Sequence, residues 1–284
     1  MPGGSSSSSR RAGAGAGASA PTWRAFLGRL PARVVAHWEL KAALACAIGV
    51  PFTAAYLLIG HFPLVPVRHL PLTWLDRAIG FHPYAWVWIY QSVYVPINVI
   101  PWLAERRDDL RRYVRGFVMI SLVSFAVFLA WPIHAPKPVV ENPRGMYWLL
   151  LQYDAPYNSL PSLHAGLLAY TLAFGRRVAG NEAPRTLKLI CLAWAALILY
   201  GTLATKEHYA IDIVAGVALG LVGDWWAWRD ARRGGLAQQA QQQGAHVPRR
   251  AEVVVGAGDG VELARQVDHV AQQDPAAIVR AQRR

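Results

Sequence analysis

The chain is poor in the residues that brace small secreted or metal-bound proteins. Its 284 residues hold two cysteines, Cys46 and Cys191, each inside an apolar block. A disulfide framework needs more of them in a shorter chain, and no CxxC spacing of the zinc or redox kind occurs, so both read as small core hydrophobes. A secretory signal needs a short apolar run soon after the first basic residues. Here the next apolar run arrives only near residue 42. No internal repeat is visible, which counts against a transporter assembled from repeats, and the alternation of a membrane-spanning strand is missing.

Apolar surface, by contrast, is abundant. Hydrophobic residues make up 54% of the chain, with twelve Trp and a positive mean hydropathy, more than one soluble core requires. They fall into six blocks, 42–60, 84–104, 116–133, 160–175, 187–204 and 209–228. About 20 apolar residues cross the hydrocarbon core of a bilayer, and lipid satisfies no free backbone group, so each block is expected to be helical. The resulting expectation is an all-α, polytopic, six-transmembrane helical bundle. A formal charge of +12 would suit a nucleic-acid binder. The bases, however, cluster between apolar blocks, at Arg106, Arg107, Arg111, Arg112 and Arg115 and again at Arg176, Arg177, Arg185 and Lys188. The opposite loops carry only Arg68, Arg77, Lys137 and Arg144. The positive-inside rule then places both termini in the cytoplasm and residues 134–164 and 205–212 outside. The expected partner is therefore a bilayer and no nucleic acid. Residues 1–36 read as a disordered, then amphipathic tail, 37–229 as the membrane domain and 230–284 as a disordered tail.

Two polar knots interrupt the apolar pattern, SLPSLHAG at 159–166 and KEHYAID at 206–212. Two apolar segments and a basic loop separate them, so they are expected to meet at one membrane face. His208 and Asp212 stand four apart, one above the other on a helix, where the carboxylate can orient the imidazole and leave its other nitrogen as nucleophile or base. The alternative for that spacing is an ion pair that only packs helices. The same face continues through Gly216 and Gly220, small enough to let the helix bearing His164 approach closely. Pro161 and Ser162 precede His164 as residues of a helix start, where free N–H groups attract anions; an interfacial His with no chemistry is the plain alternative. Lys137 and Arg144 lie in the preceding loop and suit phosphate, or else are solvated charges. Together these groups describe a phosphate-handling site in which one His attacks phosphorus and the other protonates the leaving oxygen.

The set KPVVENPR (137–144), SLPSLHAG and KEHYAIDIVAG (206–216) resembles the three signature motifs of the type 2 phosphatidic acid phosphatase (PAP2) superfamily. PSLH with HYAID looks most like the branch with inositol phosphorylceramide synthases and other phosphotransferases. The resemblance implies a PAP2-like core acting on a lipid phosphate or phospholipid with no divalent metal or other cofactor. It gives His208 as the phosphohistidine, Asp212 as its orienting partner, His164 as the acid, and Lys137, Arg144 and Ser162 as the phosphate cradle. Gly145, Leu163, Gly201 and Thr202 depart from the usual motifs. The last two stand where Ser-Arg is common, with Lys206 the compensating cation. Two other readings accompany this one: a non-catalytic transporter or scaffold, and a metal site of His164, His208 and Asp212, which the neighbouring cations disfavour.

Overall fold

The computed structural model describes residues 20–154 and 157–232. The expected tail residues 1–19 and 233–284 lie outside them. Among the described residues there are helices and no strands. They are α1 (Trp23–Val35), α2 (Trp38–His61), α3 (Trp74–Ala78), α4 (Pro83–Gln91), α5 (Tyr94–Val99) with a 3₁₀ turn at Ile100–Leu103, α6 (Arg107–Ala130), α7 (Gly145–Tyr153), α8 (Leu163–Ala179), α9 (Arg185–Ala204) and α10 (Ala210–Ala227).

Four of these, α2, α6, α9 and α10, are long and apolar enough to cross a membrane. Their outward faces are apolar as well, with Val50, Leu58, Leu192, Val214 and Val222 exposed, which suits lipid rather than water. Cys46 also faces outward on α2 instead of entering the core, and both cysteines are free. The two remaining expected spans differ from the block pattern. The second is divided into α4, α5 and the 3₁₀ turn, with Pro96 and Pro101 inside the divided stretch, where proline supplies no N–H to the helical ladder. The fourth begins only after Pro161, so α8 is 17 residues long. The loop 134–159 contains α7, entered through Gly145 at φ 62, a left-handed backbone that favours glycine.

Within the expected tail, α1 docks on the helical body. Arg33 is buried and pairs with Glu105 and Glu182 at 3.1 and 3.0 Å. Lys41 donates to the carbonyls of Arg33 and Trp102. The basic ends of α6 and α8 converge likewise on the end of α10: Arg177 pairs with Asp224, and Arg112 and Arg177 both lie over the Trp228 ring.

The tightest packing is between α8 and α10, which run parallel. A Cβ at Gly216 would stand 2.2 Å from the Ser162 carbonyl oxygen, and one at Gly220 would stand 2.2 Å from that of Gly166. The Ser162 N–H donates to the Asp212 carbonyl at 3.0 Å, locking the register at the end where both helices begin. Backbone bonds then lash three loops over this end. Arg68 pairs with Pro132 and His134, and Ile133 with Tyr157 and Ser159.

Replacing Gly220 by Ala therefore drives a methyl into backbone. Although Ala is the better helix former by about 1 kcal/mol, overpacking of this kind costs about 1–3 kcal/mol. Gly220→Ala is expected to lower the thermal unfolding midpoint in detergent. Gly49→Ala on α2, where the new methyl meets nothing within 4 Å, is expected to leave it unchanged or raise it.

Candidate active site

His208 lies in the short loop between α9 and α10 and is almost fully buried. Its Nδ1 is 3.0 Å from the Ser159 carbonyl oxygen. A carbonyl only accepts, so Nδ1 carries the hydrogen and Nε2 keeps its lone pair. That Nε2 lies 3.4 Å from Nδ1 of His164, on the first turn of α8. The two polar knots thus meet, and their imidazoles face one another.

Asp212 does not make the expected hydrogen bond to His208. Its carboxylate is 3.7 Å from Nδ1 and instead accepts the Tyr209 N–H at 2.9 Å, because the first N–H groups of α10 have no helical partner. Its influence on His208 is that of a nearby charge, while the Ser159 carbonyl fixes the tautomer. Ser162 is fully buried and caps α8, accepting from the Ala165 N–H at 3.3 Å.

Lys137 and His208 line one small polar recess with Ala135, Asp154, Asn158, Ser159 and Glu207. The Lys137 ammonium forms an ion pair with Glu207. The other two expected cations are elsewhere. Arg144 is exposed at the start of α7 and does not line the recess. Lys206, at φ 59, turns away and donates to the carbonyls of Asp76 and Ile79, each at 2.7 Å. A buried ammonium takes the nearest acceptors, and here they belong to the end of α3. Thr202 donates back to the Ile198 carbonyl within α9, and Gly201 lets that helix approach Tyr90 on α4.

Several residues of the site carried no role in the sequence reading. Asp154, just after α7, accepts from the hydroxyls of Tyr56 and Tyr90 at 3.0 and 3.4 Å. Tyr90 and Tyr94 also reach His164, at 3.2 Å from Nδ1 and 3.1 Å from Nε2. Asp76 receives the Ala210 N–H at 2.9 Å and so ties α3 to the start of α10. The available signal was a carboxylate within an apolar segment, LLLQYD, and a second one next to His208.

Glu207 and Asp154 respond oppositely to this setting. Burial pushes the Glu207 carboxyl up to about 8, Lys137 pulls it back and Asp154 adds to the rise. Burial alone would also raise Asp154, but Lys137 and the nearby histidines hold it below the ordinary carboxylate range. At neutral pH the pair therefore shares one proton, with Lys137 balancing the remaining charge. Asn158 Nδ2 is buried without a hydrogen-bonding partner at this recess. Among the described residues, no three His, Cys, Asp or Glu side chains are grouped to hold a metal ion.

Among solved structures, the crystal structure of Aquifex aeolicus LpxE aligns with a TM-score of 0.41 at 15% sequence identity, covering 55% of this chain and 93% of that one. No curated protein matches the sequence. The family comparison is more extensive: the sequence matches the PAP2 superfamily over residues 64–226, from the loop before α3 nearly to the end of α10 and across both histidine knots. More than half of the chain is covered, and the protein belongs to that superfamily.

Proposed function

We propose that the protein is a multi-pass membrane lipid-phosphate phosphatase or phosphotransferase that works through a phosphohistidine on His208. The observation that carries this reading is the imidazole pair, with His208 Nδ1–H held by the Ser159 carbonyl and Nε2 facing His164. The His208 Nε2 lone pair forms the N–P bond as the P–O bond of the lipid ester breaks. The leaving oxygen takes its proton from His164. Water or an alcohol then attacks phosphorus, gives its proton back to His164, and frees His208. Lys137 exchanges Glu207 for a phosphate oxygen, while Asp212 steadies the His208 charge from 3.7 Å. Ser162 sets the start of α8. No metal enters this scheme.

The same reading has six spans within 37–229, divided or short at α4–α5 and α8, in the cell membrane. The basic loops at Arg106–Arg115 and Arg176–Lys188 lie on the cytoplasmic side and the recess on the extracytoplasmic side. Transfer to an alcohol, as in the inositol phosphorylceramide synthase-like branch, is the second reading. The buried Asn158 Nδ2 favours it, because an amide donor without a partner suits the hydroxyl of an acceptor.

Detergent-purified protein is expected to release inorganic phosphate from a lipid phosphate in the presence of a chelator, and His208→Ala to abolish that release. His208-dependent transfer only when a lipid alcohol and a phospholipid donor are supplied would establish the transferase. Silence in both assays, with a folded protein, would leave a non-catalytic membrane protein.

The carboxyl pair adds a pH dependence. As pH rises through about 8, Glu207 loses the shared proton and the added negative charge opposes phosphate. KM is expected to rise above that pH, and Glu207→Gln to remove the rise. The folded state also binds more protons than the unfolded one between the ordinary Glu value of 4.5 and about 8. The Glu207 contribution to stability is thus fully present below this window and is lost across it as pH rises. Thermal unfolding of the Glu207→Gln variant is expected to show a flatter pH profile there.

A further inference from the structure

Three tyrosines from three helices surround His164, an arrangement the two-histidine reaction does not itself require. Ring centroids of Tyr56 on α2, Tyr90 on α4 and Tyr94 on α5 lie 6.3, 5.2 and 5.7 Å from that of His164. Two of the hydroxyls, those of Tyr56 and Tyr90, also meet Asp154. A carboxylate accepts only, so each donates its hydrogen there. The Tyr90 oxygen is left with lone pairs 3.2 Å from His164 Nδ1. It can accept from that nitrogen when Nδ1 carries a hydrogen, and Nδ1 is the atom that faces His208.

We infer that Asp154 is a positioning residue for His164: through the Tyr90 hydroxyl it keeps the transferable proton on Nδ1, toward His208, and supplies the counter-charge of the imidazolium. This rests on the reaction proposed above and adds to it the origin of the acid's orientation. The other hydrogen bond fits. Tyr94 lies 3.1 Å from Nε2, where a hydroxyl donates to the neutral ring and accepts from the charged one. The groups facing the imidazole are therefore Tyr56, Tyr90, Tyr94, Asp154 and His208, with Lys137 and Glu207 across the recess. Of these, Asp154 is the carboxylate joined to His164 through a single hydroxyl. Tyr56 holds its second oxygen and stops it from rotating away.

The test is the pH profile of turnover by the full chain in detergent. Asp154→Asn keeps the shape and removes the charge. It is expected to move the alkaline limb of kcat down by about one pH unit, the lower end of what a neighbouring opposite charge does. At neutral pH, kcat falls about tenfold by the same arithmetic, with KM changing less. Tyr90→Phe breaks the link with Asp154 in place and is expected to shift the limb in the same direction. Asp154→Glu is expected to recover part of the shift. Titration of the His164 imidazole by nitrogen NMR in histidine-labelled protein reads the same change without turnover. Superimposable kcat profiles in Asp154→Asn, Tyr90→Phe and the parent, with an unmoved imidazole titration, would overturn the inference. If the parent neither releases nor transfers phosphate, the proposed function fails and the imidazole titration alone decides the role of Asp154.

Discussion

Everything at the site depends on how closely α8 and α10 approach. His164 and His208 are 44 residues apart in sequence, yet their ring nitrogens come within 3.4 Å. The contact that sets this distance is backbone on backbone, the Gly216 and Gly220 positions lying against the carbonyls of Ser162 and Gly166. Side chains in such a seam would relax by rotamer changes and let the helices slide. Carbonyl oxygens do not, and the Ser162 to Asp212 bond fixes the register as well. In a bilayer, where apolar side chains gain little by leaving lipid for each other, small-residue packing of this kind is what holds helices together. The geometry of the imidazole pair is thus built into the part of the bundle least able to deform.

A second constraint follows from burial. His208, Asp212 and Glu207 are each 5% exposed or less, so every charge among them needs a partner or a proton. Each is met differently. Asp212 takes a helix N–H, His208 a carbonyl, and Glu207 a lysine and a proton beside Asp154, itself held by two tyrosine hydroxyls. Lys206 and Asp76 serve the same end from outside the recess, stitching α3 to the loop that carries His208. Without that stitching the loop would present its imidazole on a backbone with few other long-range bonds.

Much of this was legible in the sequence because it is periodic or local. The steps of four from His208 to Gly220 describe a face, and the face packs where the pattern says it does. Helix positions for four apolar blocks follow from their length alone. The contributions that were not legible come from residues distant in sequence meeting through loops. Nothing local says that the Ser159 carbonyl, rather than Asp212, receives His208 Nδ1–H, since the choice depends on how α8 begins after Pro161. Likewise Lys206 looks like a phosphate ligand by its place beside His208, but its left-handed backbone aims the ammonium at α3. Asp154 stands out as a carboxylate in an apolar segment, but its role is not legible there. Its partners Tyr56 and Tyr90 sit on helices whose pattern reads only as apolar.

On the proposed function, the Lys137–Glu207 pair ties these constraints to substrate entry. A lone lysine in a recess this small would carry a desolvation cost of several kcal/mol, and Glu207 offsets it in the free protein. A phosphate oxygen that replaces Glu207 leaves the lysine with an acceptor throughout, so binding becomes an exchange of acceptors rather than the burial of an unpaired charge. The exchange is easiest when the displaced carboxyl is neutral, and the elevated proton affinity of Glu207 meets that condition at neutral pH. Glu207 then competes weakly with phosphate while still preorganising Lys137 beside His208. A glutamate that looks like an obstacle in a phosphate site is, on these terms, what allows the site to be assembled before its substrate arrives.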